Sequence, residues 1–298
     1  MPFYLLLPLA CALVYTVGSL LFKRAYLEGA GPIESFHWAN ILAMPFFLPL
    51  FFVNPGNLPP ADWWRPILTS ALIYAGAWCT FAAIAKGDVS VVTPVLGTKV
   101  VFVAFTAVAL AGTTLSPSLW LAAFLTTAGI VLVGFGDAKL GRARADALIL
   151  GLLSSLFFGV SDVLIGMWAP KFGGTTFLAA LPQCIGLFSL AAIPASAPAT
   201  FRIPKPSRPW VIWGSLLLAA QGMAMGIALA FFNDPTGVNI IYSTRGMWSL
   251  ALVWFAGSWF GNPERSSAGP RAMAWRFAGT SLITAAVILA VIARSTGQ

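Results

Sequence analysis

Apolar residues run along the chain in blocks of about twenty, the length an α-helix needs to cross a hydrocarbon layer roughly 30 Å thick at 1.5 Å per residue. Cutting at charges and at Pro/Gly clusters predicts ten such spans, at about 3–22, 33–53, 66–85, 89–111, 118–136, 147–168, 175–195, 209–231, 235–259 and 273–293. The first block lacks the positive start and small-residue cleavage pattern of a secretory signal, so it is expected to remain as the first span. All connections are short. Even the longest, NPGNLPPADWWRP and SAPATFRIPKPSRP, are turn-rich rather than domain-sized, which leaves no extramembrane domain to house an enzyme.

The blocks repeat. At an offset of 146, Gly76 aligns with Gly222, Ala82 with Ala228, Asp88 with Asp234, Thr98 with Thr244, Lys99 with Arg245 and Pro117 with Pro263. At an offset of 143, the stretch Tyr15-Thr-Val-Gly-Ser-Leu-Leu-Phe lies over Phe158-Gly-Val-Ser-Asp-Val-Leu-Ile, and Asn40 lies over Gln183. Ten spans are thus two fives, 1–137 and 147–298, joined by a linker at 138–146 expected in the cytoplasm. Because five is odd, the halves enter the membrane from opposite faces. Many secondary transporters use this inverted repeat, with a site at the repeat interface near the midplane. The expected fold is an all-α polytopic membrane protein of ten transmembrane helices in two inverted five-helix repeats.

Within the repeat, residues 88–111 and 234–257 read as two copies of one apolar helix with a basic residue at its middle, Lys99 in one and Arg245 in the other. Each opens on an aspartate of the helix-capping type, Asp88 or Asp234, and Pro235 takes the first helical position of the second copy. Eleven positions from cap to cation is roughly 16 Å, half the hydrocarbon thickness. A cation at that depth costs roughly 2.5–3.5 kcal/mol on insertion scales, so it requires a partner, a wet cavity or a ligand. Snorkelling fails at mid-span because neither side chain reaches across half a bilayer.

The candidate site residues follow from those two cations. Lys99 and Arg245 are expected to hold an anion, Arg245 by a bidentate grip and Lys99 as a point charge. Thr98 and Thr244 either add hydroxyl donors or bond their own backbone. Asp162, in the sixth span, is a counter-ion to Lys99 or Arg245, or a proton site coupling transport. His37 and Glu34, in the first turns of the second span, are either interfacial hydrogen-bonding groups or a proton-linked gate. Asn40, Gln183 and Gln221 line a cavity or bond between helices. Tyr242 and Trp248 sit one turn from Arg245 on its own face, as Phe102 does from Lys99, placed to stack on a substrate ring or on the basic groups. Pro94 frees backbone five residues before Lys99. Tryptophans at span ends, such as Trp63, Trp64, Trp210 and Trp213, read as an interfacial belt.

Composition sharpens this picture and excludes alternatives. With 59% hydrophobic residues, 9% charged and a mean hydropathy of +0.86, the chain lies outside the soluble range, where roughly a quarter of residues are charged. The net charge of +8 sits in short loops and reads as an orientation signal, not as a nucleic-acid surface. Loops after spans 1, 3, 5, 7 and 9 carry twelve Lys and Arg, counting Arg276, against Arg65, Lys171 and Arg294 on the opposite face. By the positive-inside rule both termini lie outside the cytoplasm of a plasma or inner membrane. Cys11, Cys79 and Cys184 fall in apolar stretches without metal-ligand spacing. No cofactor, metal site or phosphate-binding loop is expected, and one histidine without a nucleophile motif argues against an enzyme. Polarity confined to the midplane argues against a passive channel.

The run Gly76 to Asp88, the Thr93-Pro94 pair, the small-residue exit at Gly112 and the Ala128-Gly129-Ile-Val-Leu-Val-Gly134 stretch together resemble the drug/metabolite transporter superfamily, in its ten-helix form with two EamA-type halves. The resemblance covers the whole chain. It implies alternating-access transport of small metabolites through a cavity lined by helices 1–4 and 6–9, with helices 5 and 10 peripheral and both termini in the cytoplasm. Sugar-phosphate translocators are similar in placing basic residues on the equivalents of helices 4 and 9. Here those positions match Lys99 and Arg245, with Gly246 where those relatives carry a second basic residue. The expected function is secondary transport or exchange of a small organic anion, a carboxylate or phosphate ester, held between Lys99 and Arg245. The alternative is an exporter of amino acids or similar zwitterions, with Asp162 taking the ammonium. The expected partners are that small molecule and the lipid bilayer, not nucleic acid, with a homodimer left open.

Overall fold

Proline and glycine placement, together with the apolar blocks, sets where the helices of this chain start and stop. The computed structural model describes residues 3–53, 55–86, 95–135, 142–192, 202–260 and 270–295. Span 1 is Leu6–Leu27, span 2 Pro32–Phe47 with a further turn at Leu50–Val53, span 3 Trp64–Lys86 and span 4 Lys99–Ala111. Span 5 is Pro117–Phe135, span 6 Arg142–Trp168, span 7 Gly174–Ala192 and span 8 Arg208–Phe232. Span 9 comes in two pieces, Pro235–Tyr242 and Arg245–Ala256, and span 10 is Pro270–Ser295. Seven helices among the described residues are long and apolar enough to cross a membrane, and Lys99–Ala111 and Pro117–Leu132 are shorter apolar helices.

The terminators are physical. Pro32 occupies the first turn of span 2, where a missing N–H leaves nothing unsatisfied. Gly112, at φ 62°, closes span 4 in the left-handed conformation that lacks of a Cβ makes easy. Asn233 does the same for span 8 at φ 47°. Asp234 then caps span 9, accepting the Gly237 N–H at 2.9 Å with Pro235 at the first helical position. Tyr4 donates its hydroxyl to the other oxygen of Asp234 at 2.7 Å. The matching cap Asp88, with Thr93 and Pro94, lies outside the described residues.

One expectation is corrected. The fourth and ninth spans are not continuous helices with a cation in the middle, because both cations are the first residue of a helix that restarts after a turn. Around each break the backbone bonds tighten to three-residue spacing. Thr98 N–H donates to Val95 O at 3.0 Å and Val101 N–H to Thr98 O at 3.0 Å, while Thr244 donates to Ile241 O at 3.1 Å and Met247 to Thr244 O at 2.9 Å. The threonine hydroxyls take part as well, Thr98 to Val95 O at 2.7 Å and Thr244 to Ile241 O at 2.8 Å. A hydroxyl at such a position competes with the helix for a carbonyl. The discontinuity survives inside a bilayer because other groups satisfy the freed backbone, including Arg245 on Leu96 O.

Packing follows the repeat. Span 1 lies along span 8 and span 6 along span 3, two pairs that exchange when one half is mapped on the other. Spans 2 and 7 pack together, as do spans 5 and 10. The last pair approaches closely at Gly129, where an added Cβ would stand 2.6 Å from Gly279 O. Spans 1, 2 and 6–9 share one core around Phe177, Leu229 and Val238, and spans 4, 5, 9 and 10 share a second around Leu119, Val100, Ile240 and Ala286. Phe105, Phe124, Trp213, Phe255 and Phe277 are exposed, as lipid-facing positions of a membrane bundle are.

Candidate functional site

Between the two halves lies a cavity of about 310 Å³. Its lining comes from spans 1–4 and 6–9, and among the described residues spans 5 and 10 contribute none of it. The lining starts at Lys23 and Tyr26, in the last turn or so of span 1, and includes Lys99, Asp162, Tyr242 and Arg245.

Lys99 is buried and its ammonium donates to Asp162 Oδ2 at 2.7 Å, with the two side chains 9% and 8% exposed. The same oxygen accepts from the Asn239 amide at 2.8 Å, and that amide also donates to Pro235 O at 2.9 Å. The ring of Phe158 lies 5.8 Å and that of Tyr242 5.4 Å from Lys99 Nζ. Of the two counter-ion assignments open for Asp162, the structure therefore selects Lys99.

Arg245 is equally buried, at 7% exposure, but among the described residues no carboxylate forms an ion pair with it. Its guanidinium lies 4.9 Å from the Tyr15 ring centroid and 4.6 Å from that of Tyr242. One terminal nitrogen donates to Leu96 O at 3.0 Å, and Nε–H has no acceptor. Tyr242 faces both cations, so their separation is bounded by the sum of its two ring distances.

The repeat explains the difference between them. Lys99 and Arg245 correspond at an offset of 146, and the rings they face from spans 6 and 1, Phe158 and Tyr15, correspond at 143. At that second offset the counterpart of Asp162 is Ser19, whose hydroxyl donates to Tyr15 O at 2.9 Å. One half supplies an acid for its partner's cation and the other does not. A full positive charge is thus left beside the cavity, where a low dielectric magnifies its field.

The other expected site residues divide. Asn40, Gln221 and Tyr242 line the cavity, with the Asn40 amide donating to Ser189 Oγ at 2.9 Å. Thr98 and Thr244 do not line it, because their hydroxyls are bonded to the backbone at the helix breaks. Trp248 packs against the larger core, its indole N–H buried without an acceptor. Gln183 donates to Met44 O at 2.9 Å, tying span 7 to span 2 outside the lining. His37 is buried beside Phe36, at 5.1 Å between rings, and Glu34 folds back over Gly31 at the start of span 2; neither reaches the cavity. Phe102 packs against Gly159 of span 6 instead of facing the cavity. The Trp210 indole donates to Glu28 Oε2 at 2.8 Å, tying the start of span 8 to the end of span 1.

Sequence reasoning missed Tyr15, Phe158 and Asn239 as partners of the charges. The first two were already aligned by the repeat, and Asn239 is a lone amide in an apolar run six residues before Arg245. Among the described residues, no cluster of His, Cys, Asp or Glu could hold a metal ion, and the three cysteines are free and buried.

Residues 2–135 match the model of the EamA-like transporter family. No curated protein matches the sequence. A solved crystal structure of a protein superposes with a TM-score of 0.71 at 14% identity, over 99% of this chain and 99% of that one, a likeness of fold alone. The first half of the chain is thus similar to EamA-like transporter domains, a match that supports the resemblance to the drug/metabolite transporter superfamily.

Proposed function

We propose that this protein is a secondary transporter of a small organic anion, which binds at the helix breaks beside Lys99 and Arg245 and is exposed to each face in turn. The observation that carries this reading is the buried Arg245 guanidinium, which among the described residues has an unfilled Nε–H and no ion-paired carboxylate, with Ser19 standing where the other half has Asp162. A buried cation short of an anion is stabilised by any carboxylate that reaches it. The zwitterion alternative is less well supported. An ammonium group brought to Asp162 must displace or share a carboxylate oxygen already held by Lys99 and Asn239.

Alternating access is supported by the contacts at the two ends of the bundle. The cavity lining extends to Lys23 and Tyr26 at one end. At the other, Tyr4 stacks on Phe232 at 4.9 Å, Gly56 N–H donates to Thr176 Oγ1 at 2.7 Å, and Phe172 stacks on Phe177 at 6.1 Å. Outward release requires contacts of this kind to separate.

The test is uptake of labelled carboxylates and phosphate esters into proteoliposomes. Ser19→Asp supplies the acid that the first half lacks. It is expected to fold normally and to abolish saturable anion uptake, as Arg245→Gln does, while Ser19→Ala retains uptake. Undiminished uptake in both Ser19→Asp and Arg245→Gln would end the reading.

A further inference from the structure

We infer that the cargo is a monocarboxylate with an apolar body, its carboxylate on Arg245 and its aryl or branched alkyl portion against the cavity wall. This inference rests on the anion reading above and narrows it in charge number and in polarity.

Charge number follows from the ion pairs. Lys99, Asp162 and Arg245 together carry one net positive charge, because Lys99 is already matched at 2.7 Å. A phosphate ester or dicarboxylate would bring a second negative charge beside Arg245, where Lys99 is already paired with Asp162, while Lys23, the other cation of the lining, stands away at the end of the cavity in the last turns of span 1. Leaving a buried charge unpaired is among the costliest changes a site can undergo.

Polarity follows from the hydrogen bonds of the lining. Its short polar side chains are spent on the protein itself. Ser19 donates to Tyr15 O at 2.9 Å and Ser215 to Val211 O at 2.6 Å. Thr80 is bonded to Gly76 O at 3.1 Å and paired with Ser154 Oγ at 2.7 Å, and Asn40 donates to Ser189. A cargo rich in hydroxyls would meet serine and threonine hydroxyls whose donors are already used, with Gln221 as the long amide of the lining, and each cargo hydroxyl left unpaired weakens binding. What the wall does offer is carbon, from Phe22, Ile73, Phe81, Leu181, Ile185 and Leu218. A volume of about 310 Å³ sits at the low end of small-molecule pockets, the scale of one ring or one branched chain.

The experiment measures equilibrium binding to the purified full-length protein in detergent, because protonated apolar acids cross bilayers unaided. The probes are 3-phenylpropanoate, 4-methylpentanoate, 3-phenylpropanamide, succinate, glycerol 3-phosphate and phenylalanine. Both apolar acids are expected to bind saturably, with 3-phenylpropanoate roughly tenfold to a hundredfold tighter than its neutral amide, the range of a charge-assisted hydrogen bond. Arg245→Gln is expected to erase that difference and Arg245→Lys to restore part of it. If Arg245→Gln does not fold, Ser19→Asp serves in its place and is expected to erase the preference for 3-phenylpropanoate over its neutral amide. Succinate or glycerol 3-phosphate binding more tightly than the apolar acids overturns this inference while the anion reading stands. Phenylalanine binding most tightly and indifferent to Arg245→Gln overturns both. Absence of saturable binding by either apolar acid overturns the inference.

Discussion

The Lys99–Asp162 pair can be dissected by a double-mutant cycle, because its members differ in what each would be left with alone. Lys99→Met leaves Asp162 buried with the Asn239 amide as its remaining bonded partner, and an uncompensated buried charge of this kind costs about 3–5 kcal/mol. Asp162→Leu leaves Lys99 between the rings of Phe158 and Tyr242 at 5.8 and 5.4 Å. A desolvated cation–π contact is worth ~0.5–2 kcal/mol, so this single change is expected to be the milder one. The double variant removes both charges and orphans only the Asn239 amide from Asp162, a loss of about 1–3 kcal/mol. It is therefore expected to be more stable than Lys99→Met, with a coupling energy of about 3 kcal/mol. Equilibrium unfolding in mixed micelles, followed by tryptophan fluorescence, measures all four proteins. Single losses that add to the double loss within about 0.5 kcal/mol, the behaviour of independent sites, would refute the claim that these side chains act as one buried unit.

Three further outcomes are expected. Gly129→Val, whose Cβ would stand 2.6 Å from Gly279 O and 2.9 Å from Ile283 Cγ1, should destabilise the protein by about 1–3 kcal/mol while leaving ligand affinity unchanged in the remaining folded fraction, because spans 5 and 10 do not line the cavity. Tyr242→Phe should retain anion affinity, and Tyr242→Leu, which removes the ring facing both cations, should weaken it; the two are compared in the binding assay above. In the orientation proposed from the charge count, a cysteine replacing exposed Lys205 reacts with a membrane-impermeant maleimide only from the cytoplasmic side, and one replacing exposed Asn57 only from the outside. The native cysteines are 2–7% exposed and leave a low background; the opposite labelling pattern would invert the assignment.

Much of the architecture was legible because a bilayer imposes length and polarity rules on every segment that enters it. The positions of the spans, the Asp234 cap with Pro235, and the pairing of Lys99 with Arg245 across the repeat are all local or periodic properties. The helix breaks at Gly97–Thr98 and Ser243–Thr244 were not legible, because neither stretch contains a proline and the competition between a threonine hydroxyl and the helix ladder is nearly balanced. The bond from the Trp210 indole to Glu28 was not legible either, because the two residues lie 182 positions apart in sequence.

The sequence by itself determined that this is a duplicated membrane bundle carrying two cations at the level of its interior, since insertion energy and repeat alignment depend only on residue order. Only the tertiary structure decided that Asp162 neutralises Lys99 and that Arg245 lies against Tyr15 and Tyr242 with no ion-paired carboxylate among the described residues. Those facts turn on distances of about 3 Å between helices, and a one-dimensional pattern fixes which groups must find partners without fixing which partners they find.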